Sequence, residues 1–318
     1  MTSPSREIIS KKFSTLKVLS ILIIVSGHFL KDTFFWVPAT FGLLIFAHSS
    51  AYFTTLKYNG SFSLQTYWFQ KLCRLGINLL VINVFLGCLF VLERKHGLWT
   101  WQTIVNIFGM SGFLNWFNIP NPSPFGNGVW FLTLLLLFYL IYPLLNKFLK
   151  RKELIILIFI ASLFILNLLN RKFFVGHALW YTICAFLYGF VTAKVNPRLS
   201  KKAAILITLT LFSFLLFLNF FLTIKIFNFI LLISVFCFFV MWIEYLRIPE
   251  SVNYFGNFLS KYIFEIYLIH TYLALKLTKI KSVDFLLSLI LIVFVSMFLA
   301  RISHVLKKHL FNQKIQTA

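Results

Sequence analysis

With 318 residues, 60% of them hydrophobic, 12% charged and a mean hydropathy of +0.88, the chain is too apolar to stay dispersed as a soluble domain. Its formal net charge of +22 does not point to nucleic acid, because the Lys and Arg residues sit in short clusters between apolar runs. Four isolated cysteines (Cys73, Cys88, Cys184, Cys237) form no C-x-x-C pair and indicate neither a metal site nor a disulfide framework.

A hydrocarbon core about 30 Å thick requires about 20 mostly apolar helical residues. Ten runs meet that requirement in chain order: 13–31, 38–56, 75–92, 128–146, 154–170, 177–194, 203–223, 225–243, 262–279 and 284–306. The first follows a basic start but lacks a small-residue cleavage pattern, so it is read as a retained span. The pattern predicts an all-α fold, a polytopic membrane bundle of about ten transmembrane helices forming one domain over 1–318. A short polar tail over 307–318 and no appended soluble domain are expected.

With the N-terminus inward, the inner segments carry about twenty Lys and Arg and the outer ones about nine. The bias predicts that both termini are cytoplasmic. The outer segment 93–127, containing "WTWQTIVNIFGMSGFLNWFNIPNPSPFGN", is aromatic and punctuated by Gly, Pro and Asn. That composition suits chain lying at the interface or re-entering the protein.

Chemistry-bearing residues stand inside several runs. In "KVLSILIIVSGHF", Lys17 and His28 are eleven residues apart, about three helical turns and about 16 Å, so both face one way. A charge in lipid costs about 2.5–3.5 kcal/mol, which turns both toward the bundle interior. Asp32 lies one turn beyond His28, close enough to orient its ring. Glu265, in "YIFEIYLIH", is the most deeply placed of the eight acids and needs a partner there. His48 stands in the second run beside Ser49 and Ser50. Lys71 and Arg74, three residues apart, share a helix face at the inner end of the third run and suit a phosphate-bearing donor, alongside Lys17. Simple positive-inside anchoring of that pair, a snorkelling Lys17 and a packed core histidine are the bland readings.

Four segments together resemble the acyltransferase family 3 membrane proteins. "KVLSILIIVSGHF" is similar to the first-helix signature of a basic residue, ten residues and His, and "KLCR" to the basic pair of the third helix. "GVWFLTLLLLFYLIYPLL" and "LSKYIFEIYLIH" resemble the Trp-Phe-Leu and late Tyr-Leu-x-His helices. The resemblance implies acetyl transfer from cytoplasmic acetyl-CoA, as co-substrate and with no bound cofactor, to a hydroxyl of a cell-surface polysaccharide or glycolipid in a bacterial cytoplasmic membrane. By the same resemblance His28 matches the essential histidine, Lys17 the basic residue before it, Lys71 and Arg74 the basic pair, and Trp130 the fourth-helix aromatic. The chain departs from the pattern where the first-helix cation is Lys rather than Arg, and where "FAHSSAYF" places His48 and Ala51 in the second helix.

The resulting expectation is an O-acyltransferase in which His28 is general base or transient acyl carrier, with Asp32 or Glu265 orienting it. Lys17, Lys71 and Arg74 are expected on the donor, and Trp116, Trp130, His48 and Tyr267 on the acceptor side, with no metal. Expected partners are acetyl-CoA, the glycan or glycolipid acceptor and the lipid bilayer, without nucleic acid. Transport of a polysaccharide precursor without chemistry is the alternative.

Overall fold

The computed structural model describes residues 6–30, 36–58, 62–173, 179–222, 228–278 and 280–311, and among them there is no strand. Six helices are long and apolar enough to cross a membrane: α1 (Arg6–Leu30), α3 (Leu64–Leu92), α6 (Trp130–Phe148), α7 (Lys152–Lys172), α9 (Lys201–Phe220) and α13 (Lys281–Phe311). α2 (Trp36–Lys57) and the shorter apolar α8 (Leu179–Val195) and α10 (Asn228–Ile243) coincide with three more of the expected runs. On α7, Leu157, Ile160, Phe164 and Leu168 are exposed at helical spacing, a stripe that water would disfavour and lipid tails accept. The chain is a multi-pass, all-helical membrane protein.

The chain divides into two compact units, with the division falling inside α1 and α6. In the first (Met1–Ser20, Trp36–Gly60, Ile141–Ser260), α2 lies along α8, α8 along α7, and α10 against α9. Without a hydrophobic drive between helices in lipid, such pairs depend on close backbone approach. Gly189 of α8 provides it, since a Cβ there would stand 2.2 Å from the His48 carbonyl of α2. Lys12 is buried and donates to the carbonyls of Ile243 (3.3 Å) and Glu244 (2.6 Å), closing the C-terminal end of α10 with a cation.

In the second unit (Ile21–Phe35, Ser61–Leu140, Lys261–Ala318), α3 packs on α13, and the short α12 (Ile263–Ile269) lies against both. α3 begins eleven residues before the expected third run, with Ser63 Oγ accepting from the Thr66 amide, so Lys71 and Arg74 are helical. The ninth expected run, 262–279, is not one helix. A 3₁₀ turn (Ser260–Tyr262) follows α11 (Glu250–Leu259) and leads into α12, after which 273–278 is irregular. Its backbone is satisfied by α13: Ser288 Oγ accepts from the Leu275 amide (2.8 Å), and Asp284 Oδ1 from the amides of Leu277 (3.1 Å) and Thr278 (2.8 Å). Irregular chain within a membrane protein survives when protein groups take over its hydrogen bonds in this way. At the C-terminal side α13 continues to Phe311, so the expected tail begins as helix.

Pro143 inside α6 removes the N–H that would bond to Tyr139 four residues earlier. Tyr67 Oη, fully buried, donates to that freed carbonyl at 2.9 Å. The segment 93–127 is folded chain carrying two short helices, α4 (Trp101–Ile107) and α5 (Ser111–Trp116). Thr103 Oγ1 donates to Ser123 Oγ (2.7 Å) and Asn106 Nδ2 to the Phe125 carbonyl (2.9 Å). Gly126 turns the chain there at φ +89°, where a Cβ would strike the Asn106 side chain at 2.6 Å.

Candidate active site

The second unit collects its polar side chains at two places, and α12 carries a residue of each. At one, Lys71, Arg74 and Asn78 recur along α3 at spacings of three and four residues, one helical face. Lys71 Nζ sits 3.7 Å from the Tyr139 ring centroid and 5.5 Å from that of Tyr67, a cation held on aromatic faces. Asn78 Nδ2 donates to Glu265 Oε1 of α12 at 2.5 Å, while its Oδ1 accepts from Lys307 Nζ of α13. Lys307 also donates to the Arg74 carbonyl at 3.2 Å. The Asn78 amide therefore stands as a fixed dipole between a cation and a carboxylate. Glu265 is 1% exposed, with the Lys307 and Arg74 charges nearby, and its Oε2 has no hydrogen-bond partner.

At the other place, His28 of α1 and His270, at the end of α12, meet edge to face with ring centroids 5.0 Å apart. His28 is open on the helix surface and His270 is buried behind it at 3% exposure. His270 Nδ1 lies 2.7 Å from the Tyr267 carbonyl, so Nδ1 carries the proton in that bond and Nε2, without a partner, is left as the bare nitrogen. The Tyr267 ring lies 5.8 Å from that of His270, and its hydroxyl accepts from the Phe131 amide at 2.9 Å.

The expected site residues separate accordingly. His28 and Tyr267 come together through His270. Glu265, suggested from the sequence as an orienter of His28, meets Asn78 with the Arg74 and Lys307 charges nearby, and Lys71 stands one turn before Arg74 on the same face of α3. The ring found against His28 is His270. Asp32 lies outside the described residues. Lys17 lies on α1 three turns before His28, half-buried. Trp130 is buried and meets Phe131 edge-on, and Trp116 meets Phe113 edge-on with its indole N–H buried and unpartnered. Trp99 is 97% exposed, a ring free to sit at headgroup depth.

His48 belongs elsewhere. It is buried in the first unit, its Nε2 3.0 Å from Thr192 Oγ1 and its ring stacked on Phe13 and Tyr52. Within that unit it is packed as a core histidine. His270, Asn78 and Lys307 were not singled out as site residues. The signals were present in a histidine at the end of a late apolar run and in an Asn one further turn along the face of Lys71 and Arg74.

No curated protein and no solved structure matches the chain. The sequence does match the family described as an acyltransferase domain, acyltransferase family 3, over residues 11–303. A match running from the first helix into the last, over Lys71, Arg74, Glu265 and the histidine pair alike, places this chain in acyltransferase family 3.

Proposed function

We propose that the protein transfers an acetyl group from cytoplasmic acetyl-CoA to a hydroxyl of a cell-surface polysaccharide or glycolipid, working in a bacterial cytoplasmic membrane with both termini inside. The observation that carries the reading is α12, a seven-residue buried helix with the cation cluster at Glu265 and the histidine pair at His270. Five residues of helix rise about 7.5 Å between them. A donor with a phosphate-bearing head suits the cationic place, where Lys71 and Arg74 supply charge and Arg74 a planar fork. Its thioester then extends toward His28, whose ring is open to an acceptor.

In the reaction His28 takes the proton from the acceptor hydroxyl as the oxygen attacks the thioester carbonyl carbon. The C–S bond breaks, the ester forms, and the proton passes from His28 to the departing thiolate, so the products are ester and thiol. Tyr267, tied to the Phe131 amide, holds the end of α12 against α6 and so fixes the wall on which the histidines stand.

The test measures ester-linked acetyl on surface glycans of cells lacking the protein, cells with it restored, and cells carrying His28→Ala. Acetyl esters should vanish, return, and fail to return. In lipid-reconstituted protein, Lys71→Ala and Arg74→Glu should raise the KM for acetyl-CoA by about tenfold or more, with kcat less affected. Glycans that keep their acetyl in the deletion strain would overturn the acceptor, and an unchanged KM would overturn the donor site.

A further inference from the structure

We propose that His28 and His270 form a dyad in which His270 is a positioning residue, its Nε2 accepting an N–H from His28. The inference rests on the acyl-transfer reading for the role of His28 and on the geometry for everything else. His270 is fixed on one side, since Nδ1 spends its proton on the Tyr267 carbonyl at 2.7 Å. The tautomer that results leaves Nε2 a bare acceptor, buried with no partner, the kind of orphan that native interiors seldom leave idle. The ring across from it is His28, edge-on, and a centroid separation of 5.0 Å is within reach of an N–H···N bond after a small ring rotation.

The consequence concerns which nitrogen of His28 does chemistry. A neutral imidazole has one N–H and one lone pair, and free in solution it exchanges them. Donation to His270 Nε2 assigns the N–H to one ring nitrogen of His28 and leaves the lone pair on the other, the tautomer in which that nitrogen can act as a base. When His28 takes the acceptor proton, the same bond steadies the imidazolium until the thiolate removes that proton again. This is the work a carboxylate does behind the base of a hydrolase triad, done here by a neutral ring. A neutral partner has an evident use in this setting, because a second charge within an apolar bundle is costly to hold out of water.

The two nitrogens of His270 can be tested apart. In the full-length protein reconstituted in lipid, His270→Asn keeps an N–H donor at the position of Nδ1 and removes Nε2. His270→Gln places its amide near Nε2 and loses the anchoring bond. The expected result is that His270→Asn retains the wild-type unfolding temperature and KM for acetyl-CoA while kcat falls about 10²-fold. Nitrogen-15 spectra of the histidines should show His28 as a single tautomer in the wild type and as a mixture in His270→Asn, and His270→Gln should recover part of kcat. Full kcat in His270→Asn would overturn the dyad. So would loss of kcat together with stability and an unchanged His28 tautomer, which would make His270 a packing residue. A wild-type protein that fixes the His28 tautomer yet transfers no acetyl from acetyl-CoA would leave the dyad standing and overturn the donor assignment instead.

Discussion

Tyr67 illustrates how one hydroxyl can be required by a residue far away in sequence. Pro143 cannot donate to Tyr139, and a carbonyl left bare among buried side chains costs about 1–3 kcal/mol. Tyr67 closes that gap and also offers its ring face to Lys71. Tyr67→Phe keeps the ring and removes only the hydroxyl, so it should lower the unfolding temperature in detergent without raising the KM for acetyl-CoA. Pro143→Ala in the Tyr67→Phe background restores an N–H for Tyr139 and should recover most of the loss. If the double variant is no better than Tyr67→Phe, the freed carbonyl is not what Tyr67 serves. Neither partner was readable from the sequence, because Tyr67 precedes the third apolar run and the pairing spans 72 residues. His28, by contrast, was readable, since a titratable ring in an apolar helix announces itself through its cost.

Among the elements, the ninth run departs most from what its composition suggests. "IFEIYLIHTYLALKL" has no proline and reads as a span, yet helix stops at Ile269. What ends it is supplied by tertiary structure: Thr271 Oγ1 donates to the Asn127 carbonyl, and Ser288 and Asp284 of α13 receive the amides that a continued helix would have bonded internally. Asp284 Oδ1 alone accepts from two amides and from Thr278 Oγ1 (2.9 Å). Asp284→Ala should therefore accelerate amide exchange at Leu277 and Thr278 with little change at the centre of α13, read by hydrogen–deuterium exchange mass spectrometry. Equal protection in the variant would show that the irregular stretch is held by other means. Apolar helix existence was legible in nine runs because lipid demands length and apolarity. The break was not, because the groups that cause it lie on a different helix.

For the whole molecule the question is which side of the membrane each cluster faces, and the proposed topology turns on the broken ninth element. Seven helical residues in α12 rise about 10 Å. The six residues 273–278 reach up to about 20 Å when extended. Together they could reach the hydrocarbon thickness of about 30 Å, so the proposed topology counts the element as a crossing and the number of crossings as even. An even number would keep both termini on one side, and the charge bias of about twenty to nine favours the cytoplasm for that side. On the proposed topology Lys57 and Lys150 lie inside and Trp99 outside, with the cation cluster toward the donor and the histidine pair toward the acceptor. Single cysteines at these three positions, in a protein whose four native cysteines are replaced by Ala, make the arrangement measurable. On intact cells a membrane-impermeant maleimide should label Trp99→Cys at once. Lys57→Cys and Lys150→Cys should react only after the membrane is permeabilised. The reverse pattern would turn the cation cluster away from cytoplasmic acetyl-CoA and overturn the direction of transfer, whereas labelling of Lys57→Cys and Trp99→Cys from the same side would mean that α3 does not cross.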